Sequence, residues 1–139
     1  MYGVLDISTG GMVAQRARMT AISANLANRN SVMPDGTPYR AKHVFLAPGD
    51  PGARDRASRS LGVHVARIAD DQSPFRLRWD PSHPLAVREG AERGYVRESN
   101  VNPIVEQVNA IQAARAYEAN VAAAEATKAM LAQALRLVA

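Results

Sequence analysis

IVEQVNAIQAARAYEANVAAAEATKAMLAQALRLV, residues Ile104 to Val138, governs how the rest of the chain is read. Apolar or small residues recur three or four apart at Ile104, Val108, Ile111, Ala114, Tyr117, Val121, Ala124, Leu131, Leu135 and Val138, with Lys128 the one charge in the row. Pro103 suits a first helical position, where its missing N–H costs nothing, and no Pro or Gly interrupts the run that follows. At about 1.5 Å per residue the helix is a rod about 54 Å long. A compact domain of 139 residues would have a radius of gyration of only about 14 Å. The helix is therefore expected to protrude and to need partner helices over its seam.

A second amphipathic helix is expected near the other end, roughly residues 4 to 28. Leu5, Met12, Met19 and Leu26 are spaced seven apart with Ile22 on the same seam, and Ala14, Ala17, Ala21 and Ala24 let a neighbouring backbone approach. Ser8 and Gln15 leave the heptad half filled. Gly10 and Gly11 each weaken the helix by about 1 kcal/mol relative to Ala, and mark a bend or a close crossing. Asn28, Arg29 and Asn30 end it before the turn-rich Pro34-Asp35-Gly36-Thr37-Pro38.

Between the helices the chain changes character. Val44-Phe45, Val63 to Ile68, Phe75 to Trp79 and Tyr95-Val96 are short β-branched and aromatic runs separated by Pro, Gly, Asp and Ser, which predicts a small, mainly antiparallel β unit. Val63, Val65 and Ile68 break strict alternation, so a bulge or a twisted strand is expected there. Asp80-Pro81-Ser82-His83-Pro84 is a rigid turn. The division that results is an N-terminal helix over 1–30, a turn-rich segment and β unit over 31–98, and a C-terminal helix over 99–139. The fold class is α+β, with the terminal helices pairing as a coiled-coil-like layer. In the dilute chain those helices are expected to fray, leaving a β unit with Phe45, Phe75, Trp79 and Tyr95 to bury.

Composition excludes several functions. The chain has no cysteine, which removes disulfides, thiolate metal sites and Cys nucleophiles. Its net charge of +4 is spread along the chain, without the clustered face and stacking aromatics that nucleic acid binding wants. Arg54, Arg56 and Arg59 are the only local concentration, diluted by Asp55, and read as a solvated loop. No stretch reaches the length of apolar residues needed to span a bilayer, and neither a membrane span nor a cleaved secretory signal is expected.

Catalytic chemistry finds little support. His43, His64 and His83 lie on separate segments without metal-ligand spacing, Asp70-Asp71 precedes a turn, and no Gly-rich phosphate loop occurs. No enzyme activity, cofactor or metal is expected. Asn25 and Asn28 fall one turn apart at a helix end, where they serve either as a C-cap or as partners for neighbouring backbone. Arg115, Glu118 and Asn120 read as a solvated face, with Arg115 and Glu118 paired.

These residues also form an ordered set of motifs. Ala24-Asn25-Leu26-Ala27-Asn28 is followed by Pro34-Asp35-Gly36-Thr37-Pro38-Tyr39-Arg40-Ala41-Lys42, by Gly62-Val63 and Asp80-Pro81-Ser82-His83-Pro84-Leu85-Ala86, then by Gly94-Tyr95-Val96, Ser99-Asn100-Val101-Asn102 and Arg115-Ala116-Tyr117-Glu118-Ala119-Asn120. In this order, over nearly the whole chain, they resemble the bacterial flagellar basal-body rod proteins, most closely the proximal-rod members.

The resemblance implies a structural subunit of the axial drive shaft, self-assembling through its terminal helices as the inner layer of a tube with the β unit outward. It implies as partners other copies, other rod proteins and the flagellar export apparatus, with no nucleic acid and no stable membrane insertion. It places the chain in the periplasm-spanning rod, exported without a cleaved signal peptide; a chain threaded unfolded through a channel would be hindered by disulfides, and this one has none. The implied assembly interface takes Leu5, Met12, Met19, Ile22, Asn25, Leu26 and Asn28 from the first helix, Tyr39 from the turn segment, and Ser99, Asn100, Val101 and Asn102 from the junction. From the last helix it takes Ile104, Val108, Ile111, Tyr117, Glu118, Asn120, Val121, Leu131 and Leu135. The alternative is an adaptor or membrane-surface module whose amphipathic helices engage lipid, although narrow, alanine-rich seams suit that poorly.

Overall fold

A computed structural model of the chain describes residues 2–49, 52 and 62–138. Its elements run α1 (Tyr2–Asn28), β1 (Lys42–Pro48), β2 (Val63–Asp70), β3 (Arg76–Trp79), β4 (Tyr95–Glu98) and α2 (Pro103–Val138). The Arg54, Arg56 and Arg59 loop lies outside the described residues. As expected for an α+β chain, two long helices enclose the strands, which form two separate antiparallel hairpins rather than one sheet, β1 with β2 and β3 with β4. The expected irregularity in β2 is a bulge. Phe45 pairs with Arg67 and Leu46 with Val65, which leaves Ala66 as the extra residue.

α2 begins where its capping chemistry dictates. The Asn102 side chain accepts a hydrogen bond from the Ile104 N–H at 3.1 Å, and the Asn102 carbonyl accepts the first helical bond from the Glu106 N–H at 3.0 Å. Pro103 takes the first helical position.

The two helices lie antiparallel. Asn25 meets Glu106 near one end and Gly11 meets Asn120 further along, so positions fall on one helix as they rise on the other. The helix expected to protrude and to need partner helices finds one of them within the chain, because α1 covers one side of it. At equal rise the start of α1 lies level with about residue 129 of α2, and only the last turns overhang. Met130, Leu135 and Leu137 are exposed there.

The covered row of α2 is Glu106, Ala110, Ala113, Tyr117, Asn120, Ala124, Thr127 and Leu131, alternating by four and three as in a coiled coil. Opposite it, Gly11, Ala14, Ala21 and Asn25 are buried on α1. Most of these are small or polar side chains, with Tyr117 and Leu131 the bulky exceptions, so the pairing buries little apolar area and draws its closeness from absent bulk. A Cβ added to Gly11 would lie 2.6 Å from Asn120 Oδ1, and one added to Gly10 would lie 2.9 Å from the Val63 carbonyl oxygen. The two glycines mark close crossings: one helix to helix, the other helix to hairpin.

The core is correspondingly thin. Ala14, Ala21, Ile22, Ala41, Val96, Val101 and Ala113 are its buried apolar members, and the largest wholly buried side chain is the amide of Asn25. Two of the four aromatic side chains expected inside the β unit are instead exposed. Trp79 is 62% exposed and packs edge-on to Tyr95 at 4.9 Å, while Phe45 lies under the Arg67 guanidinium at 4.4 Å. A two-stranded hairpin has an uncovered face, and that is where they sit.

Candidate functional site

Asn25 is the knot that joins both helices to the β region. Its Oδ1 accepts the Lys42 N–H at 2.8 Å and the Tyr39 hydroxyl at 3.2 Å. Its Nδ2 donates to the Lys42 carbonyl at 3.0 Å and to Glu106 Oε2 at 3.2 Å. Both donors and both acceptor sites are used, and the side-chain amide pairs with the Lys42 backbone as a neighbouring strand would. Burial raises the Tyr39 hydroxyl above its ordinary pKa, opposed by Lys42 and helped by Asp70 and Glu106. The Lys42 ammonium is itself raised by its 3.0 Å hydrogen bond to Asp70.

Asn100 makes a second knot. Its Oδ1 accepts the Ala41 N–H at 2.8 Å, and its Nδ2 donates to the Asp71 carbonyl at 3.2 Å and the Ser73 hydroxyl at 2.9 Å. Arg40 reaches the same two residues, donating to the carbonyls of Asp71 at 2.9 Å and Ser73 at 3.1 Å with its guanidinium 4.2 Å above the Phe75 ring. The Asp71 carboxylate accepts the Ser73 N–H and hydroxyl, which together with His43 hold its pKa below the ordinary value. Ser99 is buried and accepts the Val101 N–H at 3.2 Å. Asn28 serves at the helix end, donating to the Ala24 carbonyl at 2.9 Å and accepting the Ser31 hydroxyl at 3.3 Å.

The structure therefore divides the candidate interface residues into three sets. Asn25, Asn28, Tyr39, Ser99, Asn100 and Asn102 spend hydrogen bonds within the chain, and Ile22 and Val101 are buried in its core. Leu5, Met12, Met19, Leu26, Tyr117, Asn120, Val121 and Leu131 are half-buried. Ile104, Val108, Ile111, Glu118 and Leu135 are exposed, Ile104 by 73%, Ile111 by 56% and Leu135 by 71%.

At 3.6 residues per turn the α2 row read from spacing does not stay on one face. Ile104, Val108 and Ile111 lie opposite the Glu106–Ala113 row that α1 covers, whereas Leu131 and Leu135 have drifted round to the covered side, where Leu135 stands past the end of α1. Sequence reasoning missed Glu106, Arg40, Asp71 and Ser73. Glu106 carries a usable signal, a carboxylate placed among alanines on the helix row opposite Ile104 and Ile111.

Among the described residues no group of three or more His, Asp or Glu could hold a metal ion, and no helix is long and apolar enough to cross a membrane. The surface carries an apolar stripe, Ile104, Val108 and Ile111, on the side of α2 away from α1.

Comparison with known proteins identifies the family. The family model for the flagellar basal body rod FlgEFG protein C-terminal matches residues 92–137, which hold β4, the Ser99–Asn102 junction and nearly all of α2. The flagellar basal-body rod protein FlgC of Borreliella burgdorferi is 37% identical over 148 residues, covering 99% of this chain and 97% of the relative. That of Yersinia enterocolitica is 40% identical over 139 residues with the same coverage, and that of Bacillus subtilis 37% over 146 residues, covering 96% and 95%. With relatives this similar from end to end, the chain belongs to the FlgC family of flagellar basal-body rod proteins.

Proposed function

We propose that this chain, a structural subunit of the basal-body rod, builds the proximal rod by packing the outer face of its helix pair against helices of neighbouring copies and of other rod proteins. The observation that carries the reading is the inversion of the helix pair. Mostly small and polar side chains face inward, Ile22, Tyr117 and Leu131 excepted, while Ile104, Val108 and Ile111 face water. Each such side chain gains about 1.5–3 kcal/mol when fully buried, so a neighbour that covers the stripe removes a standing cost. Segments 1–30 and 99–139 supply the inner helical layer and segment 31–98 faces outward, its exposed hairpin aromatics included. The role is structural rather than catalytic, and it places the chain in the part of the basal body that crosses the periplasm.

Export through the flagellar apparatus without a cleaved signal fits the same features. A chain without cysteine, with a thin core held by hydrogen bonds, is readily threaded unfolded and refolds where partners cover it. Electron microscopy of basal bodies from a strain lacking this gene tests the reading. Rings without a rod and non-motile cells are expected, with both defects repaired by the intact gene; rods of normal length in the deletion strain would overturn it.

A further inference from the structure

Four of the arginines that the sequence spreads along the chain meet at one cleft. It has a volume of about 410 Å3 and opens between the end of α1, the β3–β4 hairpin and the start of α2, with Arg29, Arg76, Arg78 and Arg97 lining it beside Val32 and Leu85. Arg78 pairs with Glu98 at 2.6 Å and Asp80 at 3.4 Å, and Arg97 with Glu92 at 2.8 Å. The guanidiniums of Arg29 and Arg76 have no carboxylate or other hydrogen-bond partner among the described residues. Two unpaired guanidiniums thus share a cleft whose wall includes the half-exposed apolar Val32 and Leu85.

We propose that this cleft binds an extended acidic segment of a neighbouring protein, its carboxylates taken by Arg29 and Arg76 and its apolar side chains by Val32 and Leu85. A guanidinium presents parallel N–H groups that match a carboxylate, and clusters of arginine are a recurrent means of holding acidic motifs. The volume exceeds what a lone inorganic anion fills. Single-stranded nucleic acid would want successive stacking rings, and no Phe, Tyr or Trp lines the cleft, whose one ring is the His83 imidazole. The site is separate from the outer face of α2, so it stands or falls apart from the helix-packing reading.

The test titrates the full-length chain into a fluorescein-labelled peptide alternating glutamate with leucine, capped at both ends, and follows anisotropy. Saturable binding is expected, weakened by added salt and weakened about tenfold or more by Arg29→Gln together with Arg76→Gln. Each single variant should weaken it by a smaller factor, which keeps the test decisive if the double variant loses its helical circular dichroism. Arg16→Gln, on the exposed side of α1, and Ile111→Asp should leave peptide binding unchanged. Undiminished binding by the arginine variants, equal binding of a glutamine-for-glutamate peptide, or tighter binding of an oligothymidylate of equal charge would each overturn the proposal.

Discussion

Asn25→Ala is expected to destabilise the isolated chain by about 3–5 kcal/mol, a large share of what a small domain possesses. The substitution removes four hydrogen bonds at once and strands their partners: the Lys42 N–H and carbonyl, the Tyr39 hydroxyl and the buried Glu106 carboxylate. A buried group left without its partner costs about 1–3 kcal/mol, more when charged. Asn25→Asp should be comparably harmful near neutral pH, since it keeps the shape but loses the donor that faces Glu106 and sets two carboxylates together. Urea melts give both values. A loss below about 1 kcal/mol for Asn25→Ala would mean that water replaces the amide and that the knot does not hold the helices to the β region.

Gly11→Leu should be nearly as damaging, by another route. The Asn120 amide occupies the space where a Cβ would stand, 2.6 to 2.9 Å from it, and is itself tied to the Ala116 carbonyl at 2.7 Å. A leucine there must push α1 off α2, at a cost of about 1–3 kcal/mol. Gly11→Ala opposes the same clash with a gain of about 1 kcal/mol in helix propensity, so its own effect is smaller. The informative comparison combines Gly11→Ala with Asn120→Ala. Removing the amide should free the alanine to stabilise the helix, giving a coupling of about 1 kcal/mol in the unfolding free energies; strictly additive changes would contradict the close crossing.

Local chemistry made some of this legible in the sequence. The start of α2 follows from Pro103 in its first turn, the four short runs become strands, and the broken alternation around Val63 to Ile68 becomes the bulge at Ala66. The Gly10-Gly11 pair was open between a bend and a crossing, and proves to be two crossings.

What spacing could not show is which side of a long helix faces which neighbour. The row from Ile104 to Leu135 recurs slightly faster than the helix turns, so it winds from the outer face to the covered one, and only the partner decides where each residue ends up. Alanine-rich helices make this harder, because small residues are compatible with either side. Contacts made across the chain were likewise hidden: Asn25 and Glu106 lie far apart in sequence, and Arg29 meets Arg76 and Arg97 only after the hairpin folds against the helix ends. Nor does a β-rich aromatic run reveal whether its strands join one covered sheet or, as here, two open hairpins.

Ile111→Asp tests most directly the central claim, that the outer face of α2 is spent on neighbours and not on the chain's own fold. Ile111 is 56% exposed and lies opposite the covered row, so the isolated variant should melt within a few degrees of the parent. In the assembled rod the same carboxylate would be buried without a partner, at a cost of several kcal/mol per subunit. The decisive measurement sets the thermal midpoint of the purified variant beside swimming motility and rod length in cells that carry it as their only copy. An unchanged midpoint with motility and rods lost is the expected result; motile cells with rods of normal length would contradict the account.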